Sequence, residues 1–363
     1  MAIDTRVPVT VLTGFLGAGK TTLLNRILTE NHGAGRIAVI ENEFGEIGID
    51  RALLTGKAVS ATEEVFEMNN GCLCCTVRGD LIRILGSLMK RRDKFDRILI
   101  ETTGLADPAP VIQTFFMDEA LKEQLRLDGV VTVVDARHVH LHLPDEHEHG
   151  PDCHHDHDHG HAHEEHGGDE HGGAQHDEDG HAHANECEQQ IGFADVILLN
   201  KVDLVDAAQL KRVQARVREI NPMARLLHSK FGDVPVQKVL DIGGFDLERA
   251  LEMDPGFLKE STHHHDSEIG SVSIVLDGSL EPALFQPWID VLLRERGTDI
   301  FRSKGILSIA GNPLRAVFQG VHMLFEMADG AAWEASPRRS QLVFIGRNLD
   351  KQVLTAGLTA CLA

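Results

Sequence analysis

"GFLGAGKT", residues 14–21, decides the fold. It has the form G-x-x-x-x-G-K-[ST]. It follows the β-branched run "VPVTVLT" (residues 7–13) and opens the helically spaced "KTTLLNRILTEN" (residues 20–31). Strand, glycine loop and helix in that order make a phosphate cradle, because glycines let backbone N–H groups close around phosphates and the helix N-terminus adds a favourable dipole. Gly14, Gly17, Ala18 and Gly19 form the loop, and Thr22 completes the phosphate-binding set. Lys20 has the reach for the β and γ phosphates, and the Thr21 hydroxyl suits Mg2+.

Outward from this loop, further apolar runs alternate with helical spacing. "RIAVIEN" (36–42), "RILIETT" (97–103), "GVVTVVD" (129–135) and "FADVILLNKVD" (193–203) read as buried parallel strands, with "ARLLHS" (224–229) as the last of them. "VRGDLIRILGSLMKRR" (77–92) and "DAAQLKRVQARVREINP" (206–222) read as helices, the first beginning near Thr76. The pattern predicts an α/β fold with a doubly wound, mostly parallel sheet over residues 1–240. A linker, about 241–266, contains "DPGF" and "HHHD". A small α+β domain follows over 267–363. "SVSIVLD", "GILSIAG", "RAVFQGVHMLFEM" and "SQLVFIGR" read as its strands, and "EPALFQPWIDVLLRER" and "DKQVLTAGLTACLA" as its helices.

Two motifs complete a nucleotide site. "RILIETTG" ends a strand on Glu101, an acidic position for the Mg2+ shell, with Gly104 three residues on, where a backbone N–H can meet a γ-phosphate. "NKVD", residues 200–203, follows the strand "VILLN". A carboxylate at Asp203 offers two acceptors, which match the N1–H and N2–H2 donors of guanine and not the edge of adenine. Lys201 can lie along the base, Asn200 can brace the loop, and "HSKFGD" (228–233) is a further candidate for a base contact. The nucleotide is therefore read as GTP.

"MNNGCLCCTVRGD", residues 68–80, places Cys72, Cys74 and Cys75 within four residues, three of the six cysteines in the chain. A disulfide between Cys74 and Cys75 would be strained, and an iron–sulfur cluster wants four thiolates at wider spacing. Three close thiolates suit Zn2+ with one position open, as a carrier requires; buried structural thiols are the alternative. "ENEFGEIGID" (41–50) adds Glu41, Glu43 and Glu46 as further ligands or Mg2+ contacts, against a solvated acidic loop.

The net charge of −21 is mostly local. From His138 to about Glu188 the chain carries sixteen of its 22 histidines, fifteen acidic residues and no Lys or Arg. This stretch is expected to be a disordered insertion that binds metal weakly, with Cys153 and Cys187 at its flanks as additional donors. There is no basic stripe for nucleic acid, no apolar run long enough to span a membrane, and no signal-peptide pattern, so the expected compartment is the cytoplasm.

"GFLGAGKTTLLNRIL", "ENEFGEIGID", "GCLCC", "ILIETTGLADP", "VILLNKVDL", "KGIL", "FQGV" and "FIGRNLD" resemble the CobW-type family of metal-handling P-loop GTPases. The resemblance covers nearly the whole chain apart from the histidine insertion and the linker. It implies a SIMIBI-class GTPase domain with a CobW C-terminal domain. It also implies metal held by Cys72, Cys74 and Cys75, and GTP hydrolysis linked to delivery of Zn2+ to apo-forms of client metalloproteins; with no obvious water-positioning Gln or arginine finger in the sequence, intrinsic hydrolysis is expected to be slow. Co2+ handling in cobalamin synthesis, and a non-enzymatic buffer built on the insertion, are the alternatives; a homodimer is open.

Overall fold

A computed structural model of the chain describes residues 5–30, 35–41, 65–67, 74–104, 106–143, 178–244 and 269–363. Among the described residues the first domain has seven strands: β1 Val7–Thr13, β2 Ile37–Glu41, β3 Val65–Glu67, β4 Arg97–Glu101, β5 Leu125–Asp135, β6 Val196–Asn200 and β7 Arg225–His228. They lie in the order β3-β2-β4-β1-β5-β6-β7, and every pairing is parallel. The described helices beside them are α1 Lys20–Thr29, α2 Cys74–Met89, α3 Ala109–Met117, α4 Glu119–Lys122, α5 Glu178–Phe193 and α6 Ala207–Ile220.

Alternate residues of the strands feed two cores. Leu23, Leu24 and Ile27 of α1 pack with Val131, Val133, Val196 and Leu198 on one face. Leu81, Leu85, Ile112, Ile191 and Val217 cover Val9, Val11, Ile197 and Leu199 on the other. Each fully buried branched side chain contributes about 1.5–3 kcal/mol. Strand β6 is therefore buried along its whole length. The chain enters at β1, builds β2 and β4 to one side and β5 to β7 to the other. The loops after β1, β4, β5 and β6 thus converge on the C-terminal edge of the sheet, where such folds bind ligands.

Several local details differ from the sequence reading. β3 is a three-residue edge strand, too short to give a pattern. Helix α2 starts at Cys74, two residues before the expected Thr76, and so includes Cys74 and Cys75. Both ends of the stretch expected to be disordered carry structure, the turn Val139–Leu141 at one and helix α5 from Glu178 at the other. Residues 241–244, the start of the expected linker, are docked on the sheet. The Asp128 carboxylate accepts from Ile242 N and Gly243 N at 2.9 and 3.2 Å, and Arg97 makes a bidentate pair with Asp241. The remainder of the linker (245–266), residues 267–268 and the bulk of the histidine insertion (144–177) lie outside the described residues.

The second domain contains β8 Ile269–Asp277, β9 Ile300–Leu307, β10 Leu314–Val321, β11 Leu324–Ala332 and β12 Arg339–Arg347, with α7 Pro282–Arg296 and α8 Lys351–Thr359. Its sheet has the order β11-β10-β9-β12-β8 and is antiparallel throughout. "RAVFQGVHMLFEM" is a hairpin of two strands rather than one, turning at His322, which takes φ 52°. Helices α7 and α8 cover one face through Phe285, Ile289, Leu354 and Leu358. Helices α5 and α6 of the first domain contact β9, β12 and β8. Covered on both sides, the central strand β9 is buried at every position.

That burial traps charge between the domains. Arg302 and Lys304 of β9 are buried, and both donate to the Asp195 carboxylate, Arg302 at 2.8 Å. Asp195 also accepts from Val130 N at 2.8 Å, and Lys304 donates to Gly244 O at 2.7 Å. Burial pushes the Lys304 ammonium down to about 8 against the pull of Asp195. No helix among the described residues is long and apolar enough to cross a membrane.

Candidate functional site

The glycine loop joins β1 to α1. Gly14 has φ 139°, and a Cβ there would lie 2.2 Å from Val133 O, so the loop can pass β5 only as glycine. Gly17 and Gly19 also take positive φ, and Ala18 is fully buried. Helix α1 begins at Lys20, which directs its first-turn N–H groups at the loop. The Lys20 ammonium donates to Gly14 O at 2.7 Å and Phe15 O at 3.2 Å, which holds it over the loop. Thr22 is exposed beside it.

Thr21 and Glu101 come from different elements and meet: Thr21 Oγ1 donates to Glu101 Oε1 at 3.4 Å. β4 reaches this point because β1 and β4 are direct neighbours, with Leu12 opposite Glu101, and because Thr102 Oγ1 donates to Thr13 Oγ1 at 2.9 Å. Two hard oxygens so placed fit Mg2+, which takes one or two protein oxygens and completes its shell with water and phosphate.

Gly104 lies directly behind the glycine loop. A Cβ at this position would fall 2.7 Å from Leu16 N, so a side chain would force the two loops apart. Ala106 N donates to Thr103 O at 3.2 Å and closes the turn. Asp107 follows. Burial raises its carboxyl above the ordinary range, opposed by the Ala109 N–H and by His322 from the second domain.

The strand end at β6 shapes the base side. Asn200 Nδ2 donates to Ala18 O at 3.0 Å, while its Oδ1 accepts from Ser229 Oγ at 2.8 Å and Gly232 N at 3.1 Å. One amide thus ties the glycine loop to the "HSKFGD" segment. Lys201 takes φ 60° and donates to Asp135 Oδ2 at 2.6 Å. Burial works to raise the Asp135 carboxyl, but hydrogen bonds from Lys201 and His138 outweigh it and hold it below the usual carboxylate range. Asp203, in the short turn Val202–Leu204, is exposed. Asp135 was missed in the sequence, although an acid at the end of a strand in this position was a readable signal. A cavity of about 280 Å3 lies beside this region, lined in part by Phe15, Leu16, Asp135, Cys187, Gln190 and Lys201.

The residues expected to bind metal are described only in part. Cys72, Glu43 and Glu46 lie outside the described residues, as does Cys153. Cys74 and Cys75 open α2, and Glu41 closes β2. In register, Glu41 pairs with Glu101 on one side and with Glu67 on the other. Among the described residues no group of three or more His, Cys, Asp and Glu is gathered to hold a metal. Cys187, at the other flank of the histidine stretch, is buried, and burial with the neighbouring Glu188 pushes its thiol up to about 12.

This fold and this site define a P-loop GTPase. Residues 8–228 match the CobW/HypB/UreG nucleotide-binding domain, and residues 269–362 match the cobalamin synthesis protein cobW C-terminal domain. The chain belongs to the CobW/HypB/UreG family. It is 34% identical over 355 residues to the zinc chaperone YjiA of Escherichia coli, covering 96% of this chain and 97% of that one. It is 36% identical over 374 residues to the zinc chaperone CobW of Pseudomonas aeruginosa, covering 99% and 92%. A crystal structure of Zn(II)-bound YjiA GTPase from E. coli superposes with a TM-score of 0.69 at 29% identity and covers 99% of both chains.

Proposed function

We propose that this GTPase is a zinc metallochaperone. Its thiolates at Cys72, Cys74 and Cys75 take Zn2+ as cargo, and the nucleotide state governs how tightly they hold it. Release is to apo-forms of client metalloproteins. The names of relatives that span nearly the whole chain support zinc as the cargo. Three thiolates leave a fourth position for an exchanging ligand.

One observation carries the nucleotide dependence. Glu41, a candidate ligand, is the direct strand neighbour of Glu101, so its backbone lies one strand spacing, about 4.8 Å, from that of the residue whose carboxylate meets Thr21. A rearrangement at the γ-phosphate that moves the end of β4 would thereby be passed to Glu41 at the end of β2. Lys20 and the α1 N-terminus orient the phosphates, Thr21 and Glu101 would hold Mg2+, and Asp203 selects guanine. Bound Mg2+ supplies positive charge to the phosphate oxygens.

The test is competition titration of Zn2+ against the apo, GDP-bound and nonhydrolysable-GTP-bound protein, repeated with Co2+. The expected result is one tight site whose affinity differs between nucleotide states and which disappears when Cys72, Cys74 and Cys75 are all changed to Ser. Identical zinc constants in all three states would sink the coupling. Many weak sites indifferent to nucleotide would favour a buffer, and a preference for Co2+ would favour cobalt handling.

A further inference from the structure

Gln190, in the last turn of α5, plays no part in the site as read from sequence, yet it grips the Gly104 turn. Its side chain is buried, 1% exposed. Nε2 donates to Gly104 O at 3.0 Å and to Ala106 O at 3.2 Å. Both partners are carbonyls, so the amide orientation is unambiguous: the NH2 group faces the turn. Oε1 is buried without a hydrogen-bond partner among the described residues, so the amide works there only as a donor.

The clamp is itself anchored. Thr132 Oγ1 donates to Gln190 O at 2.7 Å, which pins α5 to β5. Asn221 Nδ2 donates to Ile191 O at 2.8 Å and to Ala194 O at 2.9 Å, which fixes the end of the helix. On its other side the Gly104 turn abuts Leu16 N of the phosphate loop. The turn is therefore held between Gln190 and the loop that cradles phosphate. Fixing two of its carbonyls in a buried setting restricts which way its peptide units face.

We propose that Gln190 is a positioning residue for GTP hydrolysis, which sets the Gly104 turn in the orientation that distinguishes a triphosphate from a diphosphate. This rests on the reading that the Gly104 turn meets the γ-phosphate. It acts through the turn and does not touch the nucleotide.

The experiment compares Gln190→Met, which keeps volume and removes the donor, with the unmodified full chain. Steady-state GTP hydrolysis and the dissociation constants of GDP and a nonhydrolysable GTP analogue are measured, with Lys20→Ala alongside. Gln190→Met is expected to lower kcat about tenfold and to reduce the preference for the GTP analogue over GDP by a similar factor, with GDP affinity kept within about twofold. A residue that serves only packing would move both nucleotide affinities together or neither, and either outcome overturns the proposal. Undiminished hydrolysis by Lys20→Ala would instead overturn the phosphate-site assignment beneath it. If Gln190→Met does not fold, Gln190→Glu serves, because a protonated carboxyl regains one donor. Its kcat relative to the unmodified protein should rise as pH falls from about 8 to 5.5, and a flat ratio overturns the proposal.

Discussion

Thr21 Oγ1 and Glu101 Oε1 stand 3.4 Å apart although 80 residues separate them in the chain. The contact exists because β1 and β4 are adjacent parallel strands that end at the same level. It gives the phosphate loop an acidic partner from outside its own segment.

Glu101→Ala should therefore act through Mg2+. The Mg2+ concentration for half-maximal GTP hydrolysis should rise at least about tenfold, and kcat should fall about a hundredfold. A Mg2+ titration of the steady-state rate is the measurement. A curve superimposable on that of the unmodified protein would remove Glu101 from the Mg2+ shell.

Gly104→Ala places a methyl carbon 2.7 Å from Leu16 N, a backbone atom that cannot swing aside as a side-chain tip can. GTP hydrolysis should drop about tenfold or more while GDP still binds within about threefold, since the strain falls on the turn and not on the α1 end. Single-turnover hydrolysis and a GDP titration separate the two effects. Equal loss of both would show that the whole phosphate loop had been displaced.

Asp203 is exposed at the turn after β6, free to present both carboxylate oxygens to a base. Asp203→Asn exchanges one acceptor for a donor. GTP affinity should fall about a hundredfold, and xanthosine triphosphate, which carries a carbonyl oxygen where guanine has its amino group, should bind better than GTP. Competition binding with the two nucleotides decides it; an unaltered preference for GTP would mean that another group reads the base.

The interdomain charge cluster predicts an asymmetry. Asp195→Asn leaves Arg302 and Lys304 buried without their anion and should cost about 3–5 kcal/mol, whereas Lys304→Met removes the surplus cation and should stay within about 1 kcal/mol. Folded Lys304 titrates at about 8, below the ordinary lysine value of about 10.4. Between those values the unfolded chain binds the extra proton, so this group adds stability as pH rises through the window and nothing further above it. Thermal melts of the unmodified protein and Lys304→Met from pH 7.5 to 10 should therefore diverge in slope. Parallel profiles would contradict a depressed lysine.

The elements that the chain announces are those with local causes. β1, β4, β5 and β6 are dense in Val, Ile and Leu because both faces of the sheet are covered, and α6 carries its own capping box at Asp206 and Gln209. β3 has only three residues, and its partner in the sheet lies 26 positions earlier, with Val39 opposite Val65. Helix α5 hides at the end of a histidine-rich stretch whose composition masks the spacing of Cys187 and Ile191, both buried in the core. Arg302 and Lys304 precede the expected strand "GILSIAG", whereas β9 already begins at Ile300, and contacts with Phe193, Asp195 and Gly244 of the first domain make them internal.

Read alone, the chain announced a phosphate loop, a strand end read as guanine-selective and a cysteine trio, because each is a short motif whose chemistry resides in neighbouring residues. The three-dimensional fold alone decided that Lys201 pairs with Asp135, that Gln190 grips the Gly104 turn and that Asp195 binds the second domain. Those contacts join residues 66, 86 and 107 positions apart. Their geometry depends on which strands become neighbours and which helix is buried between the sheets, and no local spacing encodes that.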